Sequence, residues 1–369
     1  MSTIRLPSVS VIVPTYKEAE NLPLLLDRLD RVRCERGLDM EVLIVDDDSR
    51  DGTVEALARY ERFRPKLIVR TADRGLSQSV CEGLARAANE VLVVMDADLS
   101  HPPESIPQLL EAIARGGDFA IGSRYVKGGS TSEDWGLLRW INSRAATLLA
   151  RPFTAARDPM SGFFALRRDD YRRAAERLNP IGYKIGLELI VKCGCRSIRE
   201  VPIHFDNRRF GKSKLSLREQ LRYLQHLRRL AIYTYGTWSH LAQFLVVGGL
   251  GAVVNLAALT LLLLAGVGVN AALAAAIVLS MVFNFALNRR FTFSYARRGP
   301  MLQQLAGFVA ACSLGALVNY TLAAALLRAF PALMPQLASM AGIVAGSGLN
   351  FLFNRFAVFR RRPRYPRPN

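Results

Sequence analysis

The chain has 369 residues and a net charge of +18, from 49 Lys and Arg against 31 Asp and Glu; at about 150 residues per domain this length holds two or three domains. Residues 1–219 carry all 31 acidic groups beside 35 basic ones, whereas the remainder carries 14 arginines, no lysine and no carboxylate. The split excludes a single uniform globular domain, and the apolar character of the C-terminal third excludes a wholly basic nucleic-acid binder.

In chain order, residues 8–14 (SVSVIVP) form a β-branched run closed by Pro14. Nothing ahead of it is apolar for long enough to be a signal peptide, so the first domain is expected to stay on the side where it is made. Further strand-like runs follow at 41–45, 66–70, 91–95 and 118–122, with helix-period patterns at 18–33, 53–63, 76–89 and 103–115. Nearly all-apolar strands alternating with helices predict a parallel sheet covered on both faces. Ligands of such sheets bind beyond the carboxyl ends of the strands. Two of those ends carry Asp46-Asp47-Asp48 and Asp96-Ala97-Asp98. The five cysteines have no framework spacing, and Cys193-Gly194-Cys195 has no second pair at zinc-site distance, so reduced structural thiols are expected.

Two common phosphate-binding patterns are missing. No G-x-G-x-x-G follows the first strand, and Gly211-Lys212-Ser213 lacks the upstream glycine of a P-loop, that position being Asp206. Asp96 and Asp98 remain, two carboxylates able to turn toward one hard cation of the Mg2+ kind, in a pattern that a solvated acidic turn shares. The surrounding segments separate these readings. VSVIVPTYKEAENL (9–22), IVDDDSRDGT (44–53), VVMDADLSHPPESIP (93–107), IGSRYVKGG (121–129) and FDNRRFGKSKL (205–215) together resemble glycosyltransferase family 2, and within it the dolichyl (polyprenyl) phosphate mannosyltransferases.

This resemblance covers essentially all of residues 8–215. It implies an α/β GT-A (Rossmann-like) fold, a nucleotide-sugar donor, a divalent metal (Mg2+ or Mn2+) and a lipid-phosphate acceptor. The family's nucleotide contacts fall on Pro14, Tyr16, Glu18, Ile44 and Asp46, and its metal site on Asp96 and Asp98, with Ser100 at the position of a further ligand. Ala97, Arg124, Lys184, Arg208 and Lys214 complete the implied donor site; Arg124, Arg139 and Ser143 form the implied acceptor-phosphate site; Asp98 and Arg124 are the expected catalytic pair. The segment Asp158–Phe163 (DPMSGF) matches a family stretch on the acceptor side. Residue chemistry agrees. A metal held by two carboxylates neutralises a departing diphosphate, and guanidinium forks suit phosphate oxygens. A phosphate monoester, with a second pKa of about 6, is already anionic and needs positioning more than a base. His101 is therefore expected to be structural, and Arg209 and Lys212 to be ordinary surface charges.

Residues 215–235 interleave Arg218, Arg222, Arg228 and Arg229 with Leu217, Leu221, Leu224, Leu227 and Leu230, the pattern of a basic amphipathic helix lying at a membrane interface. No charged residue occurs between Arg229 and Arg289, between Arg298 and Arg328, or between Arg328 and Arg355. At about 20 apolar residues per span, these gaps predict four transmembrane helices near 242–264, 271–288, 304–327 and 336–354. FLVVGGLGAVVNL (244–256) repeats as FVAACSLGALVNY (308–320), and NFALNRRFTF (284–293) as NFLFNRFAVF (350–359). Two helix pairs thus share one plan, and this half resembles the GtrA-like four-helix family. Asn255, Asn284, Asn319 and Asn350 lie in or near the spans, where interhelical hydrogen bonding is expected. Arginines crowd 218–229, 289–303 and 355–369, while only Arg328 lies on the opposite side. The catalytic domain and both termini are therefore expected in the cytoplasm.

The expected organisation is a GT-A domain (1–214), amphipathic interfacial helices (215–240), a GtrA-like membrane domain (241–360) and a basic tail (361–369). The expected reaction moves mannose, with inversion, from GDP-mannose to a polyprenyl (dolichyl-type) monophosphate at the lipid bilayer, in a protein that has no nucleic-acid partner and is a candidate homo-oligomer. The alternatives are a glucosyl or modified-pentose transferase using a UDP sugar, and a lipid-linked sugar transporter with an inactive transferase head.

Overall fold

The computed structural model describes residues 5–58, 60, 64–132, 137–206, 217–333 and 335–360. The chain divides into two compact units, Met1–Thr234 and Tyr235–Asn369.

The first unit runs β1 (Val9–Thr15), α1 (Leu22–Arg36), β2 (Met40–Asp46), α2 (Thr53–Ala58), β3 (Lys66–Val69), α3 (Leu76–Arg86) and β4 (Val91–Val94). A 3-10 turn at Pro103–Ser105 then leads into α4 (Ile106–Ala114), β5 (Phe119–Ser123), β6 (Ser130–Thr131) and α5 (Leu137–Ala150). The unit finishes with β7 (Phe164–Arg167), α6 (Arg168–Ala174), α7 (Ile185–Lys192), β8 (Ile198–Pro202), β9 (His204–Phe205) and α8 (Leu217–Tyr235). Seven strands form one sheet in the order β3-β2-β1-β4-β7-β5-β8, and β6 pairs with β9.

Strand side chains alternate between two cores, as the pleat requires. Val9, Val11, Val13, Val91, Val93 and Met95 face α1 and α4, whereas Ile12, Leu43, Val45, Leu92 and Val94 face α3 and α7. The predicted GT-A-type α/β unit is present, with one correction to its sheet. The sheet is mixed rather than parallel: β7 runs antiparallel between β4 and β5. The short FALR segment of β7 and the half-polar IREVP segment of β8 have too little apolar character to read as strands.

Pro14 lies in a central strand although it cannot donate a ladder hydrogen bond. Pairing of β1 with β4 ends at Ile12 and Val94, whereas pairing with β2 continues through Pro14–Val45 to Thr15–Asp46. The sheet therefore splits between the ends of β1 and β4. This is where the strand order reverses, and it is the crevice in which ligands of open α/β sheets bind.

Helix α8 differs from the purely interfacial helix expected. Its Leu227 and Leu230 pack with Ala150, Met160 and Leu187 in a core of the first unit, leaving Leu221 and Leu224 exposed. The division between the two units falls at the end of α8.

The second unit contains α9 (Thr237–Leu264), α10 (Val269–Leu287), α11 (Met301–Ala329) and α12 (Pro335–Phe353). Among the described residues three helices are long and apolar enough to span a bilayer: Thr237–Leu264, Val269–Thr292 and Met301–Ala329. The fourth, α12, is 19 residues long. The repeat seen in the sequence is a repeat in space. Both hairpins end in a π-helical turn, at Asn288–Thr292 and Asn354–Val358. The equivalent rings of Phe293 and Phe359 stack with centroids 4.8 Å apart. Phe244 packs on Phe351 at 5.6 Å and its counterpart Phe308 on Phe285 at 5.7 Å, so each hairpin supplies rings to the other. The buried imidazole of His240 lies 2.8 Å from the Thr292 carbonyl oxygen. Asn255 donates to Ser280 at 3.4 Å, and Asn350 donates to Cys312 at 3.5 Å. The cysteines are free thiols.

Candidate active site

The carboxyl ends of β1, β2, β3 and β4 lie along one edge of the sheet. Among the described residues, every non-glycine residue with positive φ follows one of these strands: Lys17, Asp48, Arg50, Asp73 and Leu99. Backbone held in sparsely populated regions concentrates at functional sites. The buried Leu99, at φ 63°, is the least expected of them and turns the chain back directly after Asp98.

The aspartates that end β2 have separate tasks. Asp46 accepts from Thr15 at 3.1 Å, from Ser49 N at 2.8 Å and from the Ser49 hydroxyl, which ties the ends of β1 and β2 together. Asp47 accepts from Arg70 at 2.6 Å, Ser79 at 2.8 Å and Gly75 N at 2.7 Å, and so fixes the entrance to α3. Tyr16 is exposed beside Lys17, and Glu18 accepts from Asn21 at 2.6 Å. The side chains of Ile44 and Ala97, like the Pro14 ring, are buried.

Beyond β4, the Asp98 carboxylate is buried and accepts from Ser100 N at 3.1 Å and Ser100 Oγ at 2.6 Å. Ser100 thus orients a carboxylate and spends its hydroxyl proton doing so. The Asp96 side chain keeps about a third of its surface open. Its backbone N–H donates to His101 Nδ1 at 3.1 Å, and the buried His101 ring stacks on Phe163 at 5.4 Å and meets the edge of Phe205 at 5.4 Å. Burial pushes the His101 pKa down from its ordinary value. A neutral ring that accepts from backbone is a wall of the site, as the sequence reading expects. Gly162 packs so closely that a Cβ there would come within 3.3 Å of Asp96 Oδ2 and of His101.

The donor set suits a hard divalent cation. Asp96 and Asp98 offer carboxylate oxygens from one turn, and among the described residues no group of three or more His, Cys, Asp or Glu is placed to hold a metal ion. Two carboxylates without a full protein cage are what Mg2+-type sites use when substrate phosphates and water complete the shell.

Cationic groups gather at the same edge, beyond β5. Arg124 is nearly buried and donates to Asp158 through Nε at 2.8 Å, Nη2 at 2.7 Å and backbone N at 3.0 Å. Asp158 is itself held by Glu200, which accepts from the backbone N of Arg157 at 2.9 Å and of Asp158 at 3.0 Å. The Arg124 guanidinium also lies over the rings of Tyr125 at 5.2 Å and Phe205 at 5.1 Å. Lys184 precedes α7, its Nζ 3.5 Å from the Met160 carbonyl. Burial first, then repulsion from Arg124, lowers its pKa to about 8, against partial compensation from Asp158 and Asp96. Ser143, on α5, accepts from the Tyr125 hydroxyl at 2.8 Å, and the Arg144 guanidinium covers the Tyr125 ring at 4.4 Å. Arg139 belongs to the same helix, with its side chain outside the described set. Arg208, Arg209, Lys212 and Lys214 lie outside the described residues.

The structure therefore brings Asp96, Asp98, Ser100, Arg124, Lys184 and Ser143 to one end of the first unit. The Arg124–Asp158 pair is an addition. Only the DPMSGF motif hinted at it, because a buried arginine requires a buried carboxylate partner.

Comparison with known proteins adds family evidence. Residues 10–174 match the model described as glycosyl transferase family 2, and residues 243–364 match the GtrA/DPMS transmembrane domain. The chain is 42% identical over 311 residues to a dolichol-phosphate mannosyltransferase of Pyrococcus furiosus, covering 83% of this chain and 87% of that protein. It is 43% identical to a dolichol-phosphate mannosyltransferase of Mycosarcoma maydis, over 64% of this chain and 83% of that protein. A polyprenol monophosphomannose synthase of Mycolicibacterium smegmatis is 37% identical, over 56% of this chain and 80% of its own length.

Proposed function

Because the chain belongs to the dolichol-phosphate mannosyltransferases of glycosyltransferase family 2, we propose that it transfers a mannosyl group from GDP-mannose to a polyprenyl monophosphate. A phosphate oxygen of the acceptor attacks the anomeric carbon from the face opposite the leaving group. The bond from that carbon to the β-phosphate oxygen breaks, the configuration inverts, and GDP departs. The observation that carries this reading is the gathering of the Asp96 and Asp98 turn with Arg124 and Lys184 beyond the ends of β4 and β5, where Asp96 and both cations act on one another electrostatically.

Each group has a task. Asp96 and Asp98 would hold Mg2+ or Mn2+, which when bound neutralises the departing diphosphate. Ser100 keeps the Asp98 carboxylate turned inward. Lys184 adds positive charge to the donor phosphates. Arg124, locked by Asp158, presents a fixed guanidinium edge to phosphate, and this preorganisation avoids a reordering cost during reaction. Arg139 and Ser143 on α5 hold the acceptor phosphate. No general base is required, because the acceptor is already an anion, in keeping with the sealed environment of His101.

The second unit, a GtrA/DPMS transmembrane domain, makes the chain a membrane protein. The arginine distribution supports a cytoplasmic location for the catalytic unit and both termini. The deciding experiment incubates the full chain with radiolabelled GDP-mannose, polyprenyl phosphate and Mg2+, then counts the organic phase. Label is expected there; label from UDP-glucose alone would overturn the donor assignment.

A further inference from the structure

Helix α8 sends His226 into the interior of the first unit, where it is 1% exposed. Its Nδ1 lies 3.1 Å from the Ile181 carbonyl oxygen, and its Nε2 lies 3.2 Å from Glu188 Oε2. Glu188, also 1% exposed, accepts at Oε1 from Asn179 N at 2.6 Å and from Lys192 Nζ at 2.5 Å. Arg229, one turn further along α8, donates to the Asn179 carbonyl at 3.4 Å. Withdrawing a carboxylate, an ammonium and an imidazole from water is costly, and leucines would pack the same space without that cost.

The backbone groups held by this cluster share one loop. Residues 179–183 lead directly into Lys184, and their polar atoms are gripped at Asn179 and Ile181 by the cluster and at Gly182 by Ser77, which donates to the Gly182 carbonyl at 2.6 Å. Gly182 has φ +73°, and a Cβ on it would meet Glu219 at 3.3 Å and Arg222 at 3.7 Å, both on α8. The same helix also packs Leu227 and Leu230 beside Met160, whose carbonyl lies against Lys184 Nζ. Helix α8 thus supports the Lys184 seat from two sides.

We propose that His226, backed by Glu188, is a positioning residue for the donor half of the site: it fixes the 179–184 loop so that Lys184 meets the nucleotide diphosphate. This rests on the reading of Lys184 as a diphosphate contact.

The test uses the full chain in detergent and measures GDP affinity with Mg2+ by calorimetry, donor and acceptor KM, kcat and the thermal midpoint. His226→Ala is expected to weaken GDP binding and raise donor KM about tenfold, within the usual range for coupled neighbours, with acceptor KM unchanged. His226→Asn, whose amide can donate to the Ile181 carbonyl, recovers most of that loss, which a general packing defect would not do. Added to Lys184→Met, His226→Ala causes no further loss of GDP affinity. Glu188→Gln, which keeps the shape of the cluster, is expected to weaken GDP binding in the same direction and stands in if His226→Ala does not fold. Unchanged GDP affinity in the folded His226 or Glu188 variants, or losses that simply multiply with that of Lys184→Met, would overturn the proposal alone. Unchanged affinity in Lys184→Met would overturn the site reading and this proposal together.

Discussion

Asp98 sits sealed beneath Ser100 while Asp96 keeps an open edge, so the two carboxylates have different roles to lose. Asp96→Asn and Asp98→Asn are each expected to cut turnover about a hundredfold or more, with unfolding little changed and Mn2+ affinity reduced in a calorimetric titration. Ser100→Ala should cost less, because it frees a ligand from its hydrogen bond rather than removing one. Near-wild-type activity in chelator would overturn the metal-binding reading of the pair. Lys184 predicts a pH dependence whose sign follows from its lowered pKa of about 8. Below that value the ammonium is charged and attracts diphosphate; as pH rises through it the charge is lost. Donor KM should therefore climb on the alkaline side, and Lys184→Met should show a raised KM without that limb. The aspartate pair was legible in the sequence because its members are two positions apart and end a strand. The Arg124–Asp158 pair, 34 positions apart, was not, since neither residue type says which opposite charge it will meet. Ile44 and Ala97 lie with their side chains in the core, which the sequence resemblance alone does not tell.

At the scale of elements, long β-branched runs made β1, β2 and β4 easy to place, because strands buried on both faces have little freedom in composition. The antiparallel β7 and the edge strand β8 escaped, being short or half-polar. Helix α5, which carries Arg139 and Ser143, was also unforeseen. For α8 the leucine spacing fixed an amphipathic helix but not its cover, and lipid and protein are equally apolar neighbours. The structure assigns Leu227 and Leu230 to protein. Leu230→Ala is accordingly expected to destabilise the first unit by about 2–4 kcal/mol, whereas Leu221→Ala, at an exposed position, should stay within about 0.5 kcal/mol. Denaturant unfolding of the detergent-solubilised chain distinguishes them, and equal effects would mean that α8 does not belong to the catalytic core.

For the whole molecule, the division after Thr234 makes one experiment natural. A chain ended after Tyr235 retains α8 and should still transfer mannose to polyprenyl phosphate dispersed in detergent, with weaker membrane retention. The helices of the second unit contain no acidic residue and no lysine, which favours anchoring over ionic chemistry. Complete loss of transfer in that folded fragment, with GDP-mannose still bound, would show that the second unit builds part of the acceptor site. The Phe293–Phe359 stack bears on how this unit is made. Phe293 precedes its partner by 66 positions, so the ring that completes the stack belongs to the last stretch of the chain. A stop codon just before Phe359 would therefore do more than shorten the protein: it would leave the first hairpin without the ring on which its Phe293 stacks.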